Sequence, residues 1–173
     1  MTSSDKVSLT YGETNLELPI IKSVEGPSAV DISKLTALTG LTAYDQGFVN
    51  TASTKSAITF IDGGNGVLRH RGYPIEQLAG SKSFLEVAYL LIYSELPTAD
   101  QLTAFEDRIR RHTLVHEDLK NLFTAMPQSA HPMAVLAAGT TALSTFYPDS
   151  LDPHDPEQVE LSTIRLLAKL PVL

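Results

Sequence analysis

Arg108, Arg110, Arg111 and His112 form a basic run in an otherwise acidic chain. On a helix, Arg108, Arg111 and His112 share one face by their i, i+3, i+4 spacing. Arg165 and Lys169 share a face in the same way. Two such faces converging would bind a phosphate-bearing anion, with Arg giving bidentate contacts and Lys a point charge. The competing reading is a solvated face paired with Asp and Glu, which is what charge runs usually are, and spacing alone favours it.

Other groups carry less. His112 and His116 stand four apart beside Glu117, a spacing that offers two imidazoles to one zinc on a continuous helix. Glu117 lies outside an H-E-x-x-H pattern and no third ligand is evident, so no metal site is assigned. The β-branched Thr113 and Val115 mark a helix junction that would break the spacing. Gly63-Gly64-Asn65-Gly66 resembles a phosphate cradle only superficially. A P-loop needs Gly-Lys-Ser/Thr opening a helix, whereas this run leads into a strand and reads as a hairpin turn. Asp62, Asp149 and Asp152 are turn carboxylates that nothing pairs as general acid and base. There is no Gly-x-Ser-x-Gly elbow, so the residues alone yield no catalytic set.

The elements that position these residues change character along the chain. Val7, Leu9 and Tyr11, then Leu16, Leu18 and Ile20, alternate around Gly12-Glu13-Thr14-Asn15, which predicts a hairpin with a four-residue turn. Residues 22–56 are rich in Ser, Thr, Gly and Asp and read mainly as loop. A second hairpin is expected around residues 62–66, where Asp-Gly and Asn-Gly supply positive φ. After Pro74 helices take over. Ser83 with Glu86, and Thr98 with Gln101, are capping boxes. Residues 87–93 are apolar without a break, which predicts a helix buried on all sides. Leu102, Phe105 and Ile109 give the next helix its apolar face, and residues 117–126 follow with Leu119, Leu122 and Phe123. Pro132 opens a small-residue helix to Phe146. Asp155 and Pro156 start the last helix, with Leu161, Ile164 and Ala168 inward and Lys169 suited to its C-terminal dipole.

Composition narrows the function classes. The 173 residues hold 13 basic and 20 acidic side chains, a net charge of −7 that argues against nucleic acid or an anionic membrane as partner. At 43% hydrophobic the chain can build a core. It has no cysteine, hence no disulfide, thiolate metal site or cysteine nucleophile, which fits a cytoplasmic protein. The N-terminus has no basic n-region or apolar h-region. The charge-free residues 121–148 are interrupted by Pro127 and Pro132, too short a run to span a bilayer.

Several segments resemble bacterial citrate synthases, in collinear order over nearly the whole chain. They are Gly47-Phe48-Val49-Asn50-Thr51-Ala52-Ser53, Leu68-Arg69-His70-Arg71-Gly72-Tyr73-Pro74-Ile75, Arg111-His112-Thr113-Leu114, Ser129-Ala130-His131-Pro132-Met133 and Arg165-Leu166-Leu167-Ala168-Lys169. The resemblance implies a mainly α fold: the first part of a helical citrate-synthase-like domain at 73–173, incomplete, preceded by a small β-rich appendage at 1–72. It implies condensation of acetyl-CoA with oxaloacetate and water to give citrate and CoA, with no cofactor required. A catalytic Asp takes a methyl proton and a His stabilises the enol, while a second His and several Arg hold oxaloacetate. No position here matches the catalytic His, His and Asp, and family members are more than twice this length. The expectation is therefore an N-terminal fragment, inactive alone, with the apolar end at Leu173 read as a cut through a fold.

The resemblance carries one regulatory site onto this chain. NADH-inhibited members bind NADH through positions matching Arg111, His112, Thr113, Tyr147, Arg165 and Lys169, although Leu114 stands where that form has Met. It also implies a homodimer or hexamer, with self-association through the region Pro132–Phe146. A 2-methylcitrate synthase is the close alternative. An inert helical fragment that only self-associates or binds a nucleotide is the alternative from another class.

Overall fold

Tyr11↔Thr14 is the last pair of the first hairpin, so only Gly12 and Glu13 form its turn. In the computed structural model, which describes residues 6–173, strand β1 is Lys6–Tyr11 and β2 is Thr14–Ile21. The four-residue turn expected from the sequence is therefore corrected to two residues. Gly12 takes φ 59°, which a side chain rarely tolerates. Asn15 is drawn into the ladder because its side-chain oxygen accepts the Ser8 and Thr10 hydroxyls across the pair. Leu16 and Leu18 carry the buried face of β2.

Residues 22–56 are less irregular than expected. Strand β3, Ala29–Val30, pairs antiparallel with the end of β2, at Ile20↔Val30 and Ile21↔Ala29. Helix α1, Leu35–Thr39, follows and stops at Gly40, whose φ of 72° is a left-handed cap. The second hairpin joins β4, Thr59–Asp62, to β5, Val67–His70, and β5 continues the sheet with β6, Tyr73–Pro74. Both oxygens of Asp62 hold Asn65, one through its N–H and one through its side-chain amide, so the Gly-rich loop closes on itself as a turn.

Six helices follow: α2 Ile75–Ala79, α3 Phe84–Tyr93, α4 Ala99–Arg111, α5 Leu119–Thr124, α6 Pro132–Phe146 and α7 Pro156–Lys169. The chain divides into two compact units. The first holds the described residues up to Ser83 together with Leu90–Glu95, and the second holds Phe84–Tyr89 and Leu96–Leu173. In the first unit, Arg71 sits at φ 50° and donates to the carbonyls of Ala57 and Leu91.

The second unit is purely helical and positions the basic residues. Its ends follow local chemistry. Thr98 accepts from the Gln101 N–H while Gln101 accepts from the Thr98 N–H, a complete capping box on α4. His131 caps α6 through Nδ1, which accepts from the Met133 N–H. Asp155 caps α7 by accepting from the Glu157 N–H, with Pro156 in the first turn. Phe105, Leu119, Leu143, Ile164 and Ala168 are its buried apolar residues. Helix α6 is held against α5 at Gly139, where an added Cβ would stand 2.7 Å from the Phe123 ring.

A further expectation is overturned. Helix α3 is not covered on all sides: Leu90 is fully buried, but Phe84 is 73% exposed and Ile92 37%. An apolar circumference is covered only when neighbours stand on every side, and among the described residues they do so at Leu90 alone.

Candidate functional site

Arg165 and Lys169 lie one turn apart near the end of α7, on the side that meets the end of α6. Helix α6 stops at Phe146. Tyr147 follows as its cap, and a 3-10 turn at Pro148–Ser150 carries the chain away. The Tyr147 ring lies beneath both cations, 4.9 Å from the Arg165 guanidinium carbon and 4.5 Å from Lys169 Nζ. A ring face attracts cations electrostatically, and more strongly where water is excluded.

Lys169 is only 2% exposed. Its Nζ donates to the carbonyls of His112, at 2.6 Å, and Leu114. These carbonyls lie where α4 has just ended and no intrahelical donor remains. The ammonium thus sits at the negative end of the α4 dipole, a placement that favours a cation. The Tyr147 hydroxyl donates to the Leu114 carbonyl at 3.4 Å and closes the cluster.

Arg165 is gripped by the 3-10 turn. Nη1 and Nη2 donate to the two carboxylate oxygens of Asp149 at 2.6 and 2.9 Å, and Nη1 also donates to Ser150 Oγ at 2.8 Å. Its Nε is buried without a hydrogen-bond partner. The Arg165 side chain is 15% exposed and that of Asp149 is 60% exposed. The hydrogen bonds from Arg165 hold the Asp149 carboxyl below its ordinary range of about 3.8, against partial desolvation, which raises it. Its own backbone N–H and the charges of Arg165 and His112 lower it further.

Apart from Arg108, the remaining expected residues bond within α4 and its end. Arg111 pairs with Asp107 one turn back at 2.6 Å, and Arg110 pairs with the same carboxylate. Arg108 crosses to Glu160 of α7. Nδ1 of His112 lies 2.8 Å from the Arg108 carbonyl, which can only accept, so that nitrogen carries the proton. Thr113 donates to the carbonyls of Arg110 and Ile109. Of the six residues, the structure therefore gathers the side chains of Tyr147, Arg165 and Lys169 and adds the His112 carbonyl. The side chains of Arg111, His112 and Thr113 bond locally to α4.

Helix α4 ends at Arg111, so His112 and His116 do not share a continuous helix. The His116 ring stacks on Phe146 at 4.8 Å, and its Nδ1 accepts from the Asp118 N–H. Asp149 and Ser150 are the residues that sequence reasoning missed. Asp149 was legible only as a turn carboxylate, since its partner lies sixteen positions away.

A small open cavity of about 110 Å³ lies beside the cluster, with Thr140, Ser144, Tyr147, Ser150, Arg165 and Lys169 in its wall. Pockets that enclose a small organic molecule begin at roughly 300 Å³. A cavity of this size takes one small group and does not enclose a whole organic molecule.

Comparison with known proteins gives this cluster a context. Residues 47–173 match the family described as citrate synthase, C-terminal domain. Citrate synthase 1 of Mycobacterium tuberculosis is 54% identical over 171 residues, covering 99% of this chain and 40% of that protein. Citrate synthase of Corynebacterium glutamicum is 48% identical over 172 residues, covering 99% and 39%. The chain spans about two fifths of the length of these relatives. Among solved structures, citrate synthase from Pyrobaculum aerophilum aligns with a TM-score of 0.63 at 27% identity, covering 88% of this chain and 36% of that one. Citrate synthase from Thermotoga maritima MSB8 aligns at 0.61 and 25%, covering 75% and 33%.

Proposed function

The chain belongs to the citrate synthase family, and from that premise we propose that it is the opening part of an enzyme condensing acetyl-CoA with oxaloacetate and water to citrate and CoA. The collinear identity of 54% with the Mycobacterium relative carries this reading. A proton α to a thioester is weakly acidic, so the reaction needs a placed base and a stabiliser for the enol oxygen. In this account those groups lie outside the 173 residues, whose part is to build the helical frame. The chain alone should release no CoA thiol from acetyl-CoA and oxaloacetate above background. Turnover at an ordinary enzymatic rate would overturn that assignment.

A second reading concerns regulation. The cluster of Tyr147, Arg165 and Lys169 supports a site for the phosphate-bearing part of a nucleotide such as NADH, with Arg111, His112 and Thr113 at its margin. Fluorescence titration with NADH tests it: Arg165→Ala should weaken binding, and unchanged binding would remove the idea.

Self-association through α6 completes the proposal. Ala134, Ala137 and Thr141 recur on an exposed face of this helix, and small residues let another helix approach closely. A homodimer or hexamer in the cytoplasm, with no nucleic-acid or membrane partner, is the assembly we assign. No helix among the described residues is long and apolar enough to cross a membrane.

A further inference from the structure

We propose that Asp149 is a built-in competitor for Arg165, an intramolecular carboxylate that occupies the guanidinium until a phosphate-bearing anion displaces it. The inference rests on the nucleotide reading of this cluster and adds to it a device that sets the affinity.

The two partners are held very unequally. Arg165 is fixed by its stack on Tyr147 and its bond to Ser150, and it is mostly buried. Asp149 is mostly exposed, and its carboxylate is tied by the two bonds from Arg165 and, more weakly, by its own backbone N–H. The carboxylate can therefore swing into water while the guanidinium stays in place. A buried guanidinium left without an anion is strongly disfavoured, so the vacated fork must be refilled. Two oxygens of one phosphate group match the same pair of nitrogens in the same planar geometry. Binding of Asp149 and of an external phosphate are then mutually exclusive.

The surrounding charges favour the exchange. Lys169 on α7 and His112 at the end of α4 face the same region, and neither is a carboxylate that would repel the incoming anion. The nearest other acid on α7, Glu160, is paired with Arg108. Among the described residues Asp149 is thus the carboxylate paired with Arg165, and removing its charge frees the guanidinium fork.

NADH titration of the 173-residue chain by fluorescence, at fixed low ionic strength and neutral pH, tests this. Asp149→Asn should bind about tenfold more tightly than the parent, the size of one charged hydrogen-bonding contact. Asp149→Glu, which keeps the charge, should stay near the parent. In Asp149→Asn with Arg165→Ala the gain should vanish. If the Asn variant does not fold by circular dichroism, Asp149→Ser makes the same test. Equal or weaker binding by a folded neutral variant overturns the competitor role. In that case a loss of binding in Arg165→Ala alone leaves the nucleotide reading standing, and no binding in any variant removes both.

Discussion

Nζ of Lys169, in the last turn of α7, donates at 2.6 Å to the carbonyl of His112, the residue that closes α4. One buried ammonium therefore serves two carbonyls at the end of α4. Replacing it by Met keeps most of the stem but leaves the His112 and Leu114 carbonyls without their donor. Lys169→Met should cost about 2–3 kcal/mol, the desolvation penalty of buried acceptors losing their partner. Urea denaturation checks this, and a loss under about 0.5 kcal/mol, the surface-substitution range, would show the contact to be incidental.

The capping box on α4 gives a smaller and cleaner effect. Thr98→Ala removes the oxygen that accepts from the Gln101 N–H. It should lower stability by about 1 kcal/mol. Thr98→Ser, which keeps the oxygen, should retain most of it in the same denaturation series.

Gly139 tests packing rather than hydrogen bonding. In an open helix Gly→Ala gains close to 1 kcal/mol. Here the new methyl would meet the Phe123 ring at 2.7 Å, and overpacking of this kind costs about 1–3 kcal/mol. Gly139→Ala should therefore be destabilising, and Phe123→Leu should relieve much of that penalty in the double variant. Additive losses in the thermal melts would contradict the contact.

Acid stability should report the Asp149–Arg165 pair. The folded pKa of Asp149 lies below its unfolded value near 3.8, so the unfolded chain binds the proton first. Its contribution is present above 3.8 and is lost as pH falls through the folded value. Asp149→Asn should flatten the decline in urea midpoint as pH falls through and below the ordinary carboxylate range. Parallel profiles for the two proteins would contradict the pairing.

Much of the helical frame could be read locally, because its signals lie within a few residues of each other. Thr98 with Gln101, Pro132, and Asp155 with Pro156 each mark a helix start that the structure reproduces. What depends on distant partners was not legible. Strand β3 exists only because Ile20 and Ile21 pair with Val30 and Ala29. The apolar run of α3 looks the same in sequence whether its neighbours cover all of it or one side. At the site, the i, i+4 spacing of Arg165 and Lys169 predicted a shared face. It could not show that Asp149 fills the Arg165 fork, nor that Lys169 is buried on carbonyls more than fifty residues away. Charge periodicity records which groups align, but not whether they meet solvent, each other or backbone.

The central claim is that this chain supplies the opening part of a citrate synthase. The most direct test is a chimera in which it replaces the matching 171-residue stretch of Citrate synthase 1 from Mycobacterium tuberculosis. CoA thiol release would be followed with acetyl-CoA and oxaloacetate. The account predicts turnover that requires both substrates and approaches that of the parent enzyme. A folded chimera that releases no thiol would contradict it.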